Sequence, residues 1–138
     1  MTIAICGSLQ FHKEMRDIQK KLEKLDHNVL APQSLDLIEK EGFVKPLTVA
    51  GRLAAEAKYD FIREHFRKIE QSNAVLIVNL EKNGIPGYIG GNTFLEMGMA
   101  FYFGKKIYLL NHIPEMEYAK LEMHAMKPII LNGDLSKI

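Results

Sequence analysis

One acid, Glu96, stands beside a run of glycines where a helix opens, within the stretch Asn79–Asn111, NLEKNGIPGYIGGNTFLEMGMAFYFGKKIYLLN. Gly84, Gly87, Gly90 and Gly91 fall within eight residues, more glycine than one turn requires. Small residues let backbone amides approach a phosphate or a sugar closely. A helix opening at about Asn92 or Thr93 would turn its free first-turn amides towards an anion. A carboxylate at that place has two readings. Thr93-Phe94-Leu95-Glu96 fits a capping box, in which Thr93 caps the helix and Glu96 bonds back to the cap amide. The same carboxylate, held rigidly beside a ligand loop, could be a catalytic nucleophile. Spacing alone leaves both open.

The remaining chemistry-bearing residues narrow the choice of reaction. His12, His27, His65, His112 and His124 are scattered, no pair has metal-ligand spacing, and HExxH is absent, so no metal site is expected. The single cysteine, Cys6, rules out an intrachain disulfide and ends an apolar run, where an inert buried thiol is expected rather than a nucleophile. Cys6-Gly7-Ser8-Leu9 lacks the three-glycine dinucleotide fingerprint, and no lysine precedes Thr93 as in a P-loop. Nicotinamide, flavin and ATPase chemistry are disfavoured, and no cofactor is expected.

The elements that must hold these residues follow from periodicity. Apolar runs at Ile3–Cys6, Val29–Ala31, Ala74–Leu80, Lys106–Leu110 and Ile129–Leu131 read as strands. Phe11, Met15, Ile18, Leu22 and Leu25 mark one helix face. From Gln33 to Pro46 the pattern is weak, with one short helix expected before Gly42. A long helical pattern runs from Leu47 to Ser72, with Gly51 breaking or bending its start. The glycine loop leads into a helix ending near Phe103, and a short helix is expected between Pro114 and Met126. Continuous apolar strands alternating with helices imply an α/β fold, a three-layer domain with a roughly five-stranded parallel sheet. Ligands of such sheets bind beyond the carboxyl ends of the strands. That places the loops Gly7–Phe11, Leu80–Gly91 and Asn111–Pro114 at the site.

At 138 residues the chain is expected to be a single domain, 1–138, of ordinary globular composition. Eighteen basic and 17 acidic residues give a formal charge of +1, with no basic face of the kind a nucleic-acid polymer demands. The opening MTIAICGS reads as a first strand and not a signal peptide, and no apolar stretch approaches membrane-spanning length. A cytoplasmic protein is the expectation, with no membrane partner.

These residues resemble the nucleoside 2-deoxyribosyltransferase-like family, which includes 2′-deoxynucleoside 5′-monophosphate N-glycosidases. The resemblance runs from Cys6-Gly7-Ser8 through SNAVLIVNL, the glycine loop and the E-x-G-x-A stretch of Glu96, Gly98 and Ala100 to Gly104-Lys105-Lys106. It implies a flavodoxin-like, Rossmann-like fold and cleavage of an N-glycosidic bond in a nucleoside or nucleoside 5′-monophosphate, by hydrolysis or deoxyribosyl transfer. It assigns Glu96 as nucleophile on the anomeric carbon, by the logic of retaining glycosidases. Gly7, Ser8, Gly90, Gly91, Asn92 and Thr93 would surround the sugar and any phosphate. Relatives often carry a tyrosine where Ala4 stands and an aspartate where His65 stands, which makes His65 the candidate acid for the departing base. A homodimer or higher homo-oligomer is implied as well. The rival reading is a non-catalytic nucleotide-binding or sensor protein with the same pocket.

Overall fold

A computed structural model describes residues 1–138. Five parallel strands, β1 (Thr2–Cys6), β2 (Asn28–Leu30), β3 (Ala74–Ile77), β4 (Lys106–Leu109) and β5 (Ile129–Ile130), form one sheet in the order β2-β1-β3-β4-β5. Ile3 pairs with Val29 on one side and Ala74 on the other, and Ile77 lies between Cys6 and Leu109. The chain runs outwards in both directions from β1 and β3. The crevice beyond their carboxyl ends is therefore the topological switch point of a flavodoxin-like sheet.

Alternate residues of each strand enter opposite layers. Ile3, Ile5 and Leu76 pack with Met15, Ile18 and Leu22 of helix α1 (His12–Lys24). Ala4, Cys6, Val75 and Ile77 face the other way. They meet Ile69 of α4 (Phe61–Gln71), Met97 and Ala100 of α5 (Gly91–Tyr102) and Met123 of α6 (Lys120–Ala125). No helix is long and apolar enough to cross a membrane.

The weakly patterned region contains the expected short helix, α2 (Gln33–Glu41), which ends on Gly42 in the left-handed conformation. Arg16 of α1 holds it through Asp36 and Glu39. The expected long helix is in fact two, α3 (Val49–Tyr59) and α4, and the break falls at Asp60 rather than Gly51. Asp60 is left-handed, with φ 52° and ψ 47°, a conformation Asp tolerates better than most residues. Gly51 instead sits in the first turn of α3, where its amide donates to Thr48 Oγ1 at 3.0 Å. A Cβ there would come within 2.8 Å of Pro46 Cβ. The split changes the topography of the site, because α4 buries His65 and Ile69 while α3 buries nothing and stands as an outer wall.

Candidate active site

The loop between β3 and α5 begins with a clamp. Asn79, fully buried, donates through Nδ2 to the carbonyls of Asn111 and His112 at 3.1 and 2.9 Å. Asn111 answers with its amide to Asn79 Oδ1 and its Nδ2 to the Asn79 carbonyl. The loops after β3 and β4 are thereby fixed to each other. Lys82-Asn83-Gly84-Ile85 then forms a tight hairpin, with Asn83 and Gly84 at φ 54° and 76° and two Lys82–Ile85 backbone bonds, the type I′ pattern favoured by Asn-Gly. Gly87 is also left-handed, and a Cβ there would meet the His112 carbonyl at 2.8 Å. Gly84 and Gly87 thus shape the loop, and only Gly90 and Gly91 border the cavity beyond it.

That cavity, of about 460 Å³, lies at the switch point. Its lining brings together Gly7, Ser8, His65, Gly90, Gly91, Asn92, Thr93 and Glu96 from three separate parts of the chain. The α5 helix begins at Gly91 with Gly90 at its cap position and no side-chain cap. Its first-turn amides therefore have no capping side chain to satisfy them. Glu96 falls in the second turn, out of reach of the cap amide, and Thr93 is inside the helix rather than before it. The capping-box reading of Glu96 is thereby overturned. The helix starts a turn earlier than the Thr-x-x-Glu spacing suggested, because a glycine with no side-chain signature occupies the cap.

Glu96 is 5% exposed and packs where α4 crosses α5. Its Oε2 lies 3.5 Å from His65 Nε2, which is also 3.5 Å from Cys6 Sγ. Burial pushes the Glu96 carboxyl up to about 8 and His65 down to about 4, with Lys68 adding to the His65 shift. The Ile5 backbone opposes that shift but makes no hydrogen bond of good geometry with Nδ1, which is buried without a partner. Burial also raises the Cys6 thiol, and Glu96 reinforces it. At neutral pH the group is uncharged and Glu96 holds its proton. The three ligand atoms lie within 4.8 Å of one another, a set zinc can take. Holding a cation would require Cys6 and Glu96 to release their protons, which burial opposes and which the cation itself would drive. Without one, the Glu96–His65 contact is placed for proton transfer.

Several lining residues were not singled out from sequence: Lys82, Tyr88, Gln33, Ser34, Phe43, Lys45, Arg52 and Phe61 among them. Lys82 stands two residues before the first of the loop glycines and donates to Ser8 Oγ at 2.9 Å, so its position was a usable signal. Lys45 and Arg52 come from the weakly patterned segment and from α3, where nothing local marks them.

No protein-family model matches the sequence, and no curated protein matches it. Solved structures do. The CMP N-glycosidase BcmB of Clostridium botulinum aligns over 96% of this chain and 90% of its own, at 17% identity and a TM-score of 0.53. A 2-deoxyribosyltransferase of Bacillus psychrosaccharolyticus aligns over 79% of this chain and 71% of its own, at 16% identity and a TM-score of 0.52. At these identities the likeness concerns the fold. The chain has the fold of the nucleoside 2-deoxyribosyltransferase-like proteins that its sequence resembles.

Proposed function

We propose that the protein cleaves the N-glycosidic bond of a nucleoside or nucleoside 5′-monophosphate, with Glu96 as nucleophile. The observation that carries this reading is the buried Glu96–His65 contact at 3.5 Å bordering a cavity shared with the uncapped start of α5. The cavity is large enough for a nucleotide. Gly7, Ser8 and the Gly90–Thr93 turn hold the sugar and its 5′ substituent, and Phe43 and Phe61 offer ring surface to the base. No cofactor or metal is needed.

Between about pH 4 and pH 8 the pair holds one proton, and it sits on Glu96. Attack requires that proton to pass to His65, which leaves a carboxylate facing the anomeric carbon and an imidazolium beside it. The carboxylate forms an ester to C1′ as the C1′–N bond breaks, and the base departs with the bonding electrons and takes a proton from His65. Water, or a second base, then gives a proton to the neutral His65 as it attacks C1′, the ester bond breaks and frees the carboxylate, and configuration is retained. The two acceptors correspond to hydrolysis and deoxyribosyl transfer. A cytoplasmic homodimer or higher homo-oligomer is the proposed form.

One observation favours the non-catalytic sensor as a second reading. Ala4 is fully buried and offers no hydroxyl, so no side-chain donor other than His65 approaches the Glu96 carboxyl. Incubation with a panel of nucleosides and nucleotides, with and without an acceptor base, separates the two. Free base from wild type but not from Glu96→Gln, which still binds ligand, supports the enzyme. Tight binding without base release supports the sensor, and neither binding nor release would sink both.

A further inference from the structure

The main cavity does not stop at Ser8. A second, more open hollow of about 440 Å³ adjoins it, and Ser8, Leu9, Phe43, Lys45 and Lys82 line both. The two hollows therefore meet at a ridge that carries two ammonium groups. Arg52, on the α3 wall of the main cavity, adds a third cation, its Nε held by the Pro46 carbonyl at 2.9 Å. None of these three cations lies within ion-pair distance of a carboxylate. The only acids lining either hollow are Glu96, which keeps its proton, and Glu56, which accepts from the Ile62 amide at 3.0 Å. Burial lowers the Lys45 pKa, and Arg52 and Lys82 lower it further, so the three charges feel one another. A cluster of like charge with no carboxylate in ion-pair reach fits an anionic ligand that supplies the counter-charge.

The placement of the cations bears on which anion. The first turn of α5 borders the main cavity only, whereas Lys45 and Lys82 border both hollows. A monophosphate on the α5 amides leaves the ridge and the outer hollow unengaged. A second phosphoryl group joined to the first would reach towards the ridge, since Tyr88 lies against Gly90 at the start of α5 and carries Lys82 Nζ over its ring, 5.3 Å from the centroid. We propose that the ligand carries a 5′-diphosphate group, free or esterified, whose distal phosphate rests between Lys45 and Lys82. This rests on the nucleotide reading above but does not depend on catalysis.

Base-free probes test it directly: inorganic pyrophosphate and inorganic phosphate, titrated into the full chain at matched ionic strength by calorimetry. Pyrophosphate is expected to bind at least tenfold tighter. Lys45→Ala/Lys82→Ala should remove most of that difference and leave phosphate binding nearly unchanged, while Lys20→Ala, remote from both hollows, alters neither. Equal affinities for the two anions in wild type, or a pyrophosphate preference that survives the double variant, would overturn the proposal. With nucleotides of one base, the diphosphate or its sugar ester should bind tenfold tighter than the monophosphate, and the tighter of the two identifies the form. Parity with the monophosphate in both is a second overturning result. Base release is scored separately: its absence beside an intact diphosphate preference sinks the glycosidase and not the ridge.

Discussion

At the scale of single residues, Glu96 and His65 make opposite demands on pH. Folded Glu96 keeps its proton to about pH 8, while an unfolded glutamate loses it near the ordinary carboxylate value. Stability therefore falls as pH rises from about 4.5 towards 8, by at most about 1.4 kcal/mol per pH unit, and then levels. His65, held down to about 4, removes stability as pH falls from about 6.5 towards 4. Glu96→Gln should be more stable than wild type at pH 8 by a few kcal/mol and indistinguishable from it at pH 4. Urea melts at the two pH values measure the difference, and a constant offset would mean that the buried carboxyl is not protonated. The rate has a related signature. If the pair must hold one proton, base release is flat between limbs near pH 4 and pH 8. His65→Gln should abolish the fall above pH 8 and leave a rate that rises as Glu96 ionises. An unaltered profile returns His65 to a packing role.

At the scale of elements, the glycine loop was legible because its meaning is local, yet its four glycines divide into two jobs. Gly87→Ala places a Cβ 2.8 Å from the His112 carbonyl at a left-handed φ and should destabilise the fold by ~2 kcal/mol or more. Gly91→Ala meets open space in a helical turn and should be neutral or stabilising by ~0.5 kcal/mol. Thermal melts of the pair check the division, and equal losses at both would contradict it. Gly91→Val should additionally weaken anion binding, since its side chain stands where the α5 amides must be approached. The strands and α1 could be read because buried runs and amphipathic spacing are properties of the segment itself. The Asp60 break and the Lys45–Arg52 wall could not, because a left-handed residue inside a helical pattern and the docking of α3 over the cavity arise only from tertiary packing. The misread cap at Thr93 has the same origin, since glycine leaves no capping side chain to read.

At the scale of the whole molecule, α5 presents a divided surface. Met97 and Ala100 are buried against the sheet, whereas Leu95, Phe101 and Tyr102 are 54%, 55% and 81% exposed. An exposed apolar strip of this kind along α5 is where a second copy would pack. Light scattering at micromolar concentration should return at least twice the 15.7 kDa chain mass, and Phe101→Glu should shift it towards the monomer. A monomer mass for wild type would remove the interface from the account.

The hairpin that carries Lys82 also has a chemical lifetime. Asn83 is exposed and precedes Gly84, whose amide nitrogen takes part in no hydrogen bond. That nitrogen can attack the Asn83 side-chain amide, expel ammonia and form a succinimide, which water opens to aspartate or isoaspartate. Either product sets a new negative charge beside Lys82, and isoaspartate also lengthens the backbone of a turn built for two left-handed residues. Protein aged at mildly alkaline pH should therefore lose affinity for anions before it loses its fold, and a peptide mass one unit heavier at Asn83 would date the loss.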